Sequence, residues 1–470
     1  MPTLAIEISD AGILAASDSA PGVCGPSSPG FALIDDGPLL VGAEAQAQSR
    51  LKPRRVDNRF WSDLGTVPLA APFPAGLSRA DLAHAHLAAV WERAGAKADS
   101  VILALPGTTS AEQLGLTLGI ARACEIPVVG MVDAAVAAAA AGSPDGVLLH
   151  VDLQLHRAVV TELSRGNEIV RRQSRVGDRV GLVALHDVCV KRIAELFVRA
   201  TRFDPLHAAA TEQDLFSSLP RLFEELRDEE TAAVEIVDGS KAHAIELDRG
   251  QLLQAIEPAY VGIVDLVRPL KRSGEEATLL LTHRVHTLPG LGERLGRIGD
   301  TVVRDLSPES AVRGALRASR AIRSDGEALP FVTRLPVTGG PATGHQTQET
   351  SSKRAPPRRR AGGPPTHLLY EERAYRITAD PLVLGVAPPA GSRGIRLTRT
   401  TAGISRSHCS VCLTEERVVV RDHSSHGLFV NGQRVDGATE LVAGDKLRLG
   451  TPGIEIRLIR AVEPDGPAHG

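Results

Sequence analysis

Apolar runs and helical patterns alternate along the first two thirds of the chain. Residues 101–105 form a continuous apolar run that predicts a buried strand, and residues 109–112 follow with a capping-box pattern that predicts the start of a helix. Residues 127–131 predict the next strand, and Asp133 opens an alanine-rich helix that Gly142 can close. This alternation predicts an α/β domain.

A strand meander follows. Three short runs have strand character, at residues 147–152, 156–163 and 168–173. Turn residues separate the last two runs, and a long helix is predicted over residues 180–199. The alternation of strands and helices recurs more loosely between residues 246 and 321. We therefore expect one α/β domain over residues 1–335.

The pattern changes to all-β toward the carboxyl end. Short strands are predicted at residues 408–413, 417–421 and 454–458. Asn431 and Gly432 separate two strand-like runs and give the strongest hairpin signal of the chain, since both residue types tolerate a positive φ. A small β-sandwich is expected over residues 367–461, followed by a disordered tail at residues 462–470.

Residues 336–366 separate the two domains and are rich in proline, glycine and arginine. Nothing in this segment can build a hydrophobic core, so a flexible linker is predicted. Its basic run at residues 353–360 has two interpretations, an arm that contacts nucleic acid or acidic lipid, and a solvated spacer. The spacer is favoured.

Composition narrows the class of protein. Hydrophobic residues make up 43% of the 470 residues and charged residues 23%, which excludes disorder throughout, and the net charge of −3 argues against a protein dedicated to nucleic acid. Only seven of the 53 basic residues are lysine, which suggests a GC-rich bacterial genome. Apolar runs are far shorter than the roughly 20 residues of a membrane span, so a soluble, cytoplasmic protein is expected.

The sequence predicts neither a metal site nor a disulfide framework. Its five cysteines are scattered, and Cys409 and Cys412, although spaced like a metal or redox pair, face opposite sides of a predicted strand. Two pairs of histidines are close enough in sequence to be tested as metal ligands, His84 with His86 and His283 with His286. The first pair lies two residues apart in a helix and cannot share a metal, and the second lacks a third ligand nearby.

Segments of the first domain occur in an order that resembles a nucleotide-binding domain. Residues 4–9 stand at a first phosphate loop, residues 148–152 at a second phosphate strand and residues 279–289 at an adenosine segment. With residues 101–142 between them, they resemble the nucleotide-binding domain of DnaK-type heat-shock chaperones, within the actin and sugar-kinase superfamily. The resemblance implies an actin-like α/β fold.

The phosphate loops nevertheless lack the glycines that let backbone amides approach a phosphate. Residues 152–157 contain no glycine, and Ser9-Asp10-Ala11 stands where the family has Gly-Thr, which also puts a carboxylate near the phosphate position. Residues 282–285 replace the glycine pair on which the purine would rest. Nucleotide binding is therefore not expected.

Four charged residues remain at positions that resemble the family's catalytic set. Glu7, Asp133 and Asp152 correspond to the metal-organising carboxylates, and Arg59 lies where a catalytic lysine is expected. Without a glycine cradle they cannot position phosphoryl groups for transfer, so a pseudo-ATPase fold without a cofactor is favoured. The alternative is a working ATPase in which these four residues act on ATP and magnesium.

Three motifs follow one another in the carboxyl-terminal domain: Ser-Arg-Ser-His at residues 405–408, a loop and hairpin at residues 422–432, and late strands at residues 441–450. In this order they resemble the motifs of a forkhead-associated (FHA) domain. The resemblance implies a β-sandwich that docks phosphothreonine peptides on its loops. Such a site needs a hydroxyl, backbone amides and a cation, because phosphothreonine carries nearly two negative charges.

Residue roles follow from the FHA resemblance. The implied phosphopeptide-binding residues are Ser405, Arg406, Ser425 and His426. The residues given structural roles are Gly385, His408, Gly427, Asn431 and Gly432. Ser405 would donate its hydroxyl to the phosphate, Arg406 would add charge, and His408 would pin one loop within the sandwich.

One position departs from the FHA pattern. Val386 stands where family members have an arginine that binds the phosphate, and Arg393, Arg396 and Arg399 of the following loop are the candidates to replace it. A lost charged hydrogen bond costs about 1.5–3 kcal/mol. Two alternatives therefore stay open: the domain binds its partner only when the partner is phosphorylated, or it binds the partner without phosphate. The first is favoured.

Together the two domains favour recognition over catalysis. The first hypothesis is a signalling adaptor, in which the FHA-like domain binds a phosphothreonine-containing protein and the first domain is a nucleotide-free platform. The second is an atypical DnaK-like ATPase targeted by its FHA-like domain. The third is a structural interaction protein that docks its partner without phosphate.

Overall fold

The structure is a computed structural model in which the chain forms two compact units, Met1–Thr343 and Gly344–Gly470. The described residues are 2–19, 22–35, 37–94, 98–178, 180–272, 274–324, 329–337, 364–370, 373–389, 392–397, 404–414, 417–424, 427–435, 437–443, 445–450 and 454–459. Most of the predicted linker and all of the predicted tail lie outside them.

The first unit is a mixture of strands and helices, as the alternation of patterns predicts. Its strands are β1 (Thr3–Ser9), β2 (Gly12–Ser17), β3 (Ala32–Leu33), β4 (Leu40–Val41), β5 (Val56–Asp57), β6 (Ser100–Leu105), β7 (Val128–Asp133), β8 (Gly146–Leu153), β9 (Ala158–Arg165), β10 (Glu168–Gly177), β11 (Thr231–Asp238), β12 (Lys241–Asp248), β13 (Ala277–Leu281), β14 (Thr301–Asp305), β15 (Phe331–Val332) and β16 (Arg334–Pro336). Its helices are α1 (Ala43–Gln46), α2 (Arg79–Arg93), α3 (Ala111–Ala123), α4 (Ala134–Ala140), α5 (Leu182–Thr201), α6 (Ala209–Asp228), α7 (Arg249–Val267), α8 (His283–His286), α9 (Leu291–Gly296), α10 (Ser310–Arg317) and α11 (Ser319–Ile322), with short 3₁₀ helices at Pro53–Arg55 and Arg268–Leu270.

Two large sheets of this unit share one arrangement. The first has the order β15-β7-β6-β1-β2, and the second has the order β14-β13-β8-β9-β10-β16. In the first sheet, β1 pairs antiparallel with β2 and parallel with β6, and β6 pairs parallel with β7. In the second sheet, β8 pairs antiparallel with β9 and parallel with β13, and β13 pairs parallel with β14. The carboxyl ends of β1 and β8 therefore occupy equivalent places in the two sheets.

Local contacts explain where the observed elements differ from the predicted ones. The capping box of α3 is formed by Ser110 and Gln113, one residue later than predicted. β9 begins at Ala158 rather than at residue 156, because the Gln154 N–H donates to the Arg157 carbonyl at 2.9 Å and closes a tight turn. β16 pairs with β10 through Pro336, and the Val337 N–H donates to the Asn167 carbonyl at 3.1 Å, so this pairing extends two residues into the segment assigned to the linker.

The second unit is the expected sandwich of two sheets. Its strands are β17 (His367–Tyr370), β18 (Arg373–Arg376), β19 (Leu382–Gly385), β20 (Gly394–Arg396), β21 (Cys409–Thr414), β22 (Arg417–Asp422), β23 (Leu428–Val430), β24 (Gln433–Arg434), β25 (Ala438–Leu441), β26 (Lys446–Leu449) and β27 (Ile454–Ile459). The sheet orders are β18-β17-β27-β26-β23-β24 and β20-β19-β21-β22-β25. Alternate residues of both sheets bury a common apolar core that includes Leu384, Val411, Val420, Leu428 and Leu447.

The predicted hairpin joins β23 to β24. Asn431 has φ of 49° and Gly432 has φ of 82°, the two positive values that a tight two-residue turn of this kind requires. Register places the ends of β19, β20, β22 and β24 and the starts of β21 and β23 at one end of the sandwich. We call this end the rim; its loops carry the residues of the predicted phosphopeptide site.

Candidate functional site

His408 connects two loops of the rim. The Ser405 N–H donates to Nδ1 of His408 at 3.1 Å, so Nε2 carries the ring proton and donates to the Gly427 carbonyl at 3.1 Å. Its side chain is fully buried, and its own backbone N–H donates to the Leu384 carbonyl at 2.7 Å. One buried ring thus fixes Ser405 relative to the facing loop.

Gly385 allows the Ser405 loop to lie against the end of β19. A Cβ on Gly385 would come 2.0 Å from the Arg406 carbonyl oxygen and 2.9 Å from that of Ser405, distances that no side chain tolerates. The backbone N–H groups of Val386 and Ala387 donate to these two carbonyls, at 3.2 Å to Ser405 and 3.0 Å to Arg406. Ser405 is half-buried at this contact, and Arg406 is exposed beside it.

The facing loop is organised by Asp422 and Ser424, which the sequence analysis did not single out. The Asp422 carboxylate accepts the N–H of Ser424 at 2.9 Å and that of Leu428 at 3.3 Å, and the Ser424 hydroxyl accepts the Gly427 N–H at 2.8 Å. Gly427 has φ of 86°, a conformation that favours glycine. The predicted ligands Ser425 and His426 lie in this loop but outside the described residues.

Asn431 does more than shape its turn. Its side-chain amide donates to Oδ1 of Asp445 at 2.6 Å, and its side-chain oxygen accepts the Lys446 N–H at 3.0 Å. Asp445 is buried, and its Oδ2 accepts the Val442 N–H at 2.9 Å. Asn431 therefore ties the hairpin to the turn before β26. An Asn-Gly pair signals the turn in the sequence, but not this side-chain partner.

The arginines proposed to replace the one absent at Val386 lie in different places. Arg393 donates to the hydroxyl of Thr378 and to the Arg376 and Asp380 carbonyls, and it therefore belongs to the end of the sandwich opposite the rim. Arg396 is the cross-strand partner of Gly385 and is exposed at the rim. Arg399 lies outside the described residues.

A cavity of about 220 Å³ lies in the first unit between the carboxyl ends of β1 and β8. Glu7 of β1 and Asp152 of β8 line it, as the sequence predicts, but Arg284 lies between them. Arg284 donates to Oδ1 of Asp152 from Nε at 3.0 Å and from Nη2 at 2.9 Å, and to Oε1 of Glu7 from Nη2 at 3.2 Å. A guanidinium of the protein itself thus compensates both carboxylates.

This ion cluster sets the protonation of its members. Burial raises the pKa of Glu7, the positive charge of Arg284 opposes this rise only in part, and the nearby Asp152 carboxylate adds to it. Burial also acts to raise the pKa of Asp152, but Arg284 and the nearby His150 outweigh it and lower that pKa below its ordinary value. Burial lowers the pKa of His150 to about 4, so this ring faces the cavity as a neutral base at pH 7.

Asp133, the third predicted carboxylate, has a separate cation. Its Oδ1 caps α4 by accepting the Ala135 N–H at 2.9 Å, and its Oδ2 accepts Nη1 of Arg171 at 3.0 Å. Arg171 also donates to the Gly107 carbonyl. A Cβ on Gly107 would come 2.3 Å from both the Asp133 carboxylate and the Arg171 guanidinium. Asp133 is fully buried in this contact, which raises its pKa.

The loops that follow β1 and β8 bond to each other. Oδ1 of Asp10 accepts the Leu155 N–H at 3.0 Å, so a backbone amide of the second loop already has an anionic partner within the protein. Oδ2 of Asp10 is buried and has no hydrogen-bond partner among the described residues. Burial raises the pKa of this carboxyl group.

Arg59 is not brought into the carboxylate cluster. Its half-exposed side chain lies 4.0 Å from Asp63, and Arg59 is not among the described residues that line the cavity. Over the described part of the chain, no group of three or more histidine, cysteine, aspartate or glutamate side chains is arranged to hold a metal ion. Cys409 is buried while Cys412 is partly exposed, which agrees with opposite faces of a strand.

Comparison with known proteins identifies one of the two units. The FHA domain family matches residues 392–450, which include Ser405, His408 and the Asn431-Gly432 hairpin. A search of curated proteins gives no significant match. In the described residues no helix is long and apolar enough to cross a membrane. The carboxyl-terminal unit of this chain therefore contains an FHA domain, a phosphopeptide-binding module of protein–protein interaction.

Proposed function

We propose that the protein is a phosphothreonine-dependent adaptor, in which the FHA domain binds a phosphorylated partner and the first unit serves as a nucleotide-free platform. The observation that carries this proposal is the rim. A serine hydroxyl, an exposed arginine and a glycine-dependent loop converge there around the buried His408 ring. These are the groups that a phosphate dianion requires of its site.

Two features support an actin-like fold for the platform. The first is the shared order of the two large sheets, each with an antiparallel pair beside parallel strands. The second is the cavity at the carboxyl ends of β1 and β8, because open α/β sheets place their ligand sites at such ends. On this proposal the platform keeps the architecture of a nucleotide-binding domain.

The contents of the cavity favour a platform over an ATPase. Arg284 takes up the charge of Glu7 and Asp152, Arg171 takes up that of Asp133, and Asp10 occupies the Leu155 amide. A magnesium–nucleotide complex would have to displace these internal partners, and no glycine of the second loop offers its amides in their place. We therefore assign no catalytic residue and no cofactor to this chain.

A pull-down from host lysate tests the adaptor function. We expect the full chain to retain partner proteins that are lost after phosphatase treatment of the lysate and lost with the Ser405→Ala variant. Ser407→Ala, a change of the same size in the same loop, is the matched control and should retain them. A partner set that survives both phosphatase treatment and Ser405→Ala would contradict the proposal.

A further inference from the structure

The FHA domain needs a source of positive charge at the rim. Val386 occupies the position at which an arginine was expected, and its side chain packs against the sandwich core. Ser405 brings no charge to the site, and Arg406 supplies one positive charge. A phosphate group carries almost two negative charges at pH 7, so a second guanidinium would complete its compensation.

Arg396 lies directly beside the Ser405 loop. It is the register partner of Gly385 in the parallel pair β19–β20, and the Leu397 N–H donates to the Gly385 carbonyl at 2.9 Å. Leu384 and Ile395, the preceding pair, point into the core, so Gly385 and Arg396 face outward together. That outward face of Gly385 is the one covered by the Ser405 and Arg406 carbonyls.

Arg434 approaches the same loops from the other sheet. It pairs with Phe429 in β23–β24, and its Nε lies 3.4 Å from the position that a Cβ of Gly427 would take. Arg434 therefore lies beside Gly427, whose carbonyl accepts from His408. Arg396 thus lies beside the Ser405 loop and Arg434 beside Gly427 of the facing loop, each on the outer face of its own sheet.

These side chains have no internal partner. Within the part of the chain that the structure describes, Arg396, Arg406 and Arg434 are exposed and make no ion pair or side-chain hydrogen bond. Three arginines elsewhere in the unit do have partners. Arg393 binds three acceptors, Arg417 pairs with Glu440 at 3.6 Å, and Arg448 lies over the Phe429 ring at 4.0 Å. The guanidinium groups of Arg396, Arg406 and Arg434 are therefore available to an anion at the rim.

The carboxylate closest in sequence to the facing loop does not cancel this charge. Both oxygens of Asp422 accept backbone N–H groups, from Ser424 and Leu428, and so are used inside the loop. The rim therefore carries three exposed guanidinium groups whose charge no described carboxylate pairs with, next to Ser405.

We infer that Arg396 and Arg434 replace the arginine absent at Val386 and, with Arg406, bind the phosphate of a phosphothreonine peptide. This inference rests on the proposed phosphothreonine-dependent function and assigns the cations of its site. On this inference the positive charge of the site comes from Arg396, Arg406 and Arg434 and not from residue 386, where the FHA pattern has its arginine.

Binding of the full chain to a fluorescent phosphothreonine peptide library, degenerate on both sides of the phosphothreonine, tests the assignment by fluorescence anisotropy. Arg396→Gln and Arg434→Gln should each weaken binding by about tenfold, the loss expected for one charge-assisted hydrogen bond. Arg417→Gln removes the same charge at the opposite end of the sandwich and should leave affinity within about twofold. The matched library with unmodified threonine reports binding that does not need phosphate.

The possible outcomes distinguish a wrong assignment of the cations from a wrong phosphothreonine-dependent function. Wild-type binding that is equal for both libraries would overturn the phosphothreonine-dependent function itself. The second outcome is a preference for the phosphorylated library that is as strong in Arg396→Gln, in Arg434→Gln and in their double variant as it is in Arg417→Gln. That outcome would overturn only the assignment of the cations. Because the three arginines are exposed, all variants should keep the wild-type hydrogen-exchange pattern of β19–β23, which distinguishes lost binding from lost folding.

Discussion

Arg284 donates two hydrogen bonds to a single oxygen of Asp152, from Nε at 3.0 Å and from Nη2 at 2.9 Å. Asp152 belongs to the second large sheet and Glu7, the other partner of Arg284, belongs to the first. The guanidinium therefore joins the two sheets across the cavity, and the Arg171–Asp133 pair joins β10 of the second sheet to β7 of the first. Two buried ion pairs within the protein thus hold the sheets together.

The first prediction concerns the energy of this cross-link. Arg284→Gln should destabilise the first unit by about 3 kcal/mol, because it leaves two buried carboxylates without their cation. In an Asp152→Asn background the same change should cost less, with a coupling energy of at least about 1 kcal/mol. Urea unfolding followed by Trp61 and Trp91, the two tryptophans of the chain, reports this unit alone. Equal costs in both backgrounds would show that the pair does not stabilise the fold.

The second prediction is that the chain does not bind ATP. Isothermal titration with Mg-ATP should give no saturable heat, since the carboxylates have internal cations and the second loop has no glycine. Asp133→Asn and Asp152→Asn serve as controls for any signal that appears. Saturable binding that both variants abolish would restore the ATPase hypothesis.

The third prediction is a pH dependence that comes from His86. Trp61 donates its indole N–H to Nδ1 of His86 at 3.0 Å, so Nε2 is protonated and lies 2.8 Å from the Ser28 hydroxyl, to which it donates. Burial, with a smaller contribution from Arg93, lowers the pKa of this ring to about 3, against an ordinary value of 6.5. The unfolded chain therefore takes up a proton below pH 6.5 that the folded chain refuses. Stability is complete above pH 6.5 and falls as the pH decreases.

His86→Gln measures this effect. From pH 6.5 to pH 5, the wild type should lose about 2 kcal/mol more of its unfolding free energy than the variant does. The signal is again tryptophan fluorescence in urea. His84, exposed on the same helix, provides the control, because His84→Gln should keep the wild-type profile. A His86→Gln profile parallel to that of the wild type would mean that the ring is protonated in the folded state.

The fourth prediction compares two glycines of the FHA domain. Gly385→Ala should cost about 3 kcal/mol, because its Cβ would collide with backbone carbonyls of the Ser405 loop. Gly432→Ala has open space around its Cβ and should cost only about 1 kcal/mol, for its left-handed φ. Hydrogen exchange of β19–β21 in the full chain measures both costs. A smaller loss for Gly385→Ala than for Gly432→Ala would show that the loop moves away freely.

Periodicity and turn chemistry predicted the elements from β6 to α5 in the first unit and the strands β21 to β24 and β27 in the second, but not α2, α6 or the β11–β12 pair. The Asn431-Gly432 turn and the cap at Asp133 are local features, set by residues adjacent in sequence, and both occur in the structure. The observed start of an element differs from the predicted one where a capping side chain or a tight turn determines it, as at Ser110 before α3 and Ala158 in β9.

Long-range partners were beyond prediction from the sequence alone. Arg284 lies 132 residues from Asp152, and Asn431 lies 14 residues from Asp445, and no local rule connects either pair. The sequence did point to Arg284 as part of a segment that lacks the expected glycines. Only the packing of two sheets shows that this arginine reaches the carboxylates. Similarly, strand register is what separates Arg396 at the rim from Arg393 at the opposite end.

We propose that phosphate on threonine decides binding at the rim. The affinity of the full chain for two peptide libraries that are identical except for the phosphate on a central threonine tests this directly. We expect at least tenfold tighter binding of the phosphorylated library, a preference that Ser405→Ala removes and Ser407→Ala keeps. Equal affinity of the wild type for both libraries would contradict it.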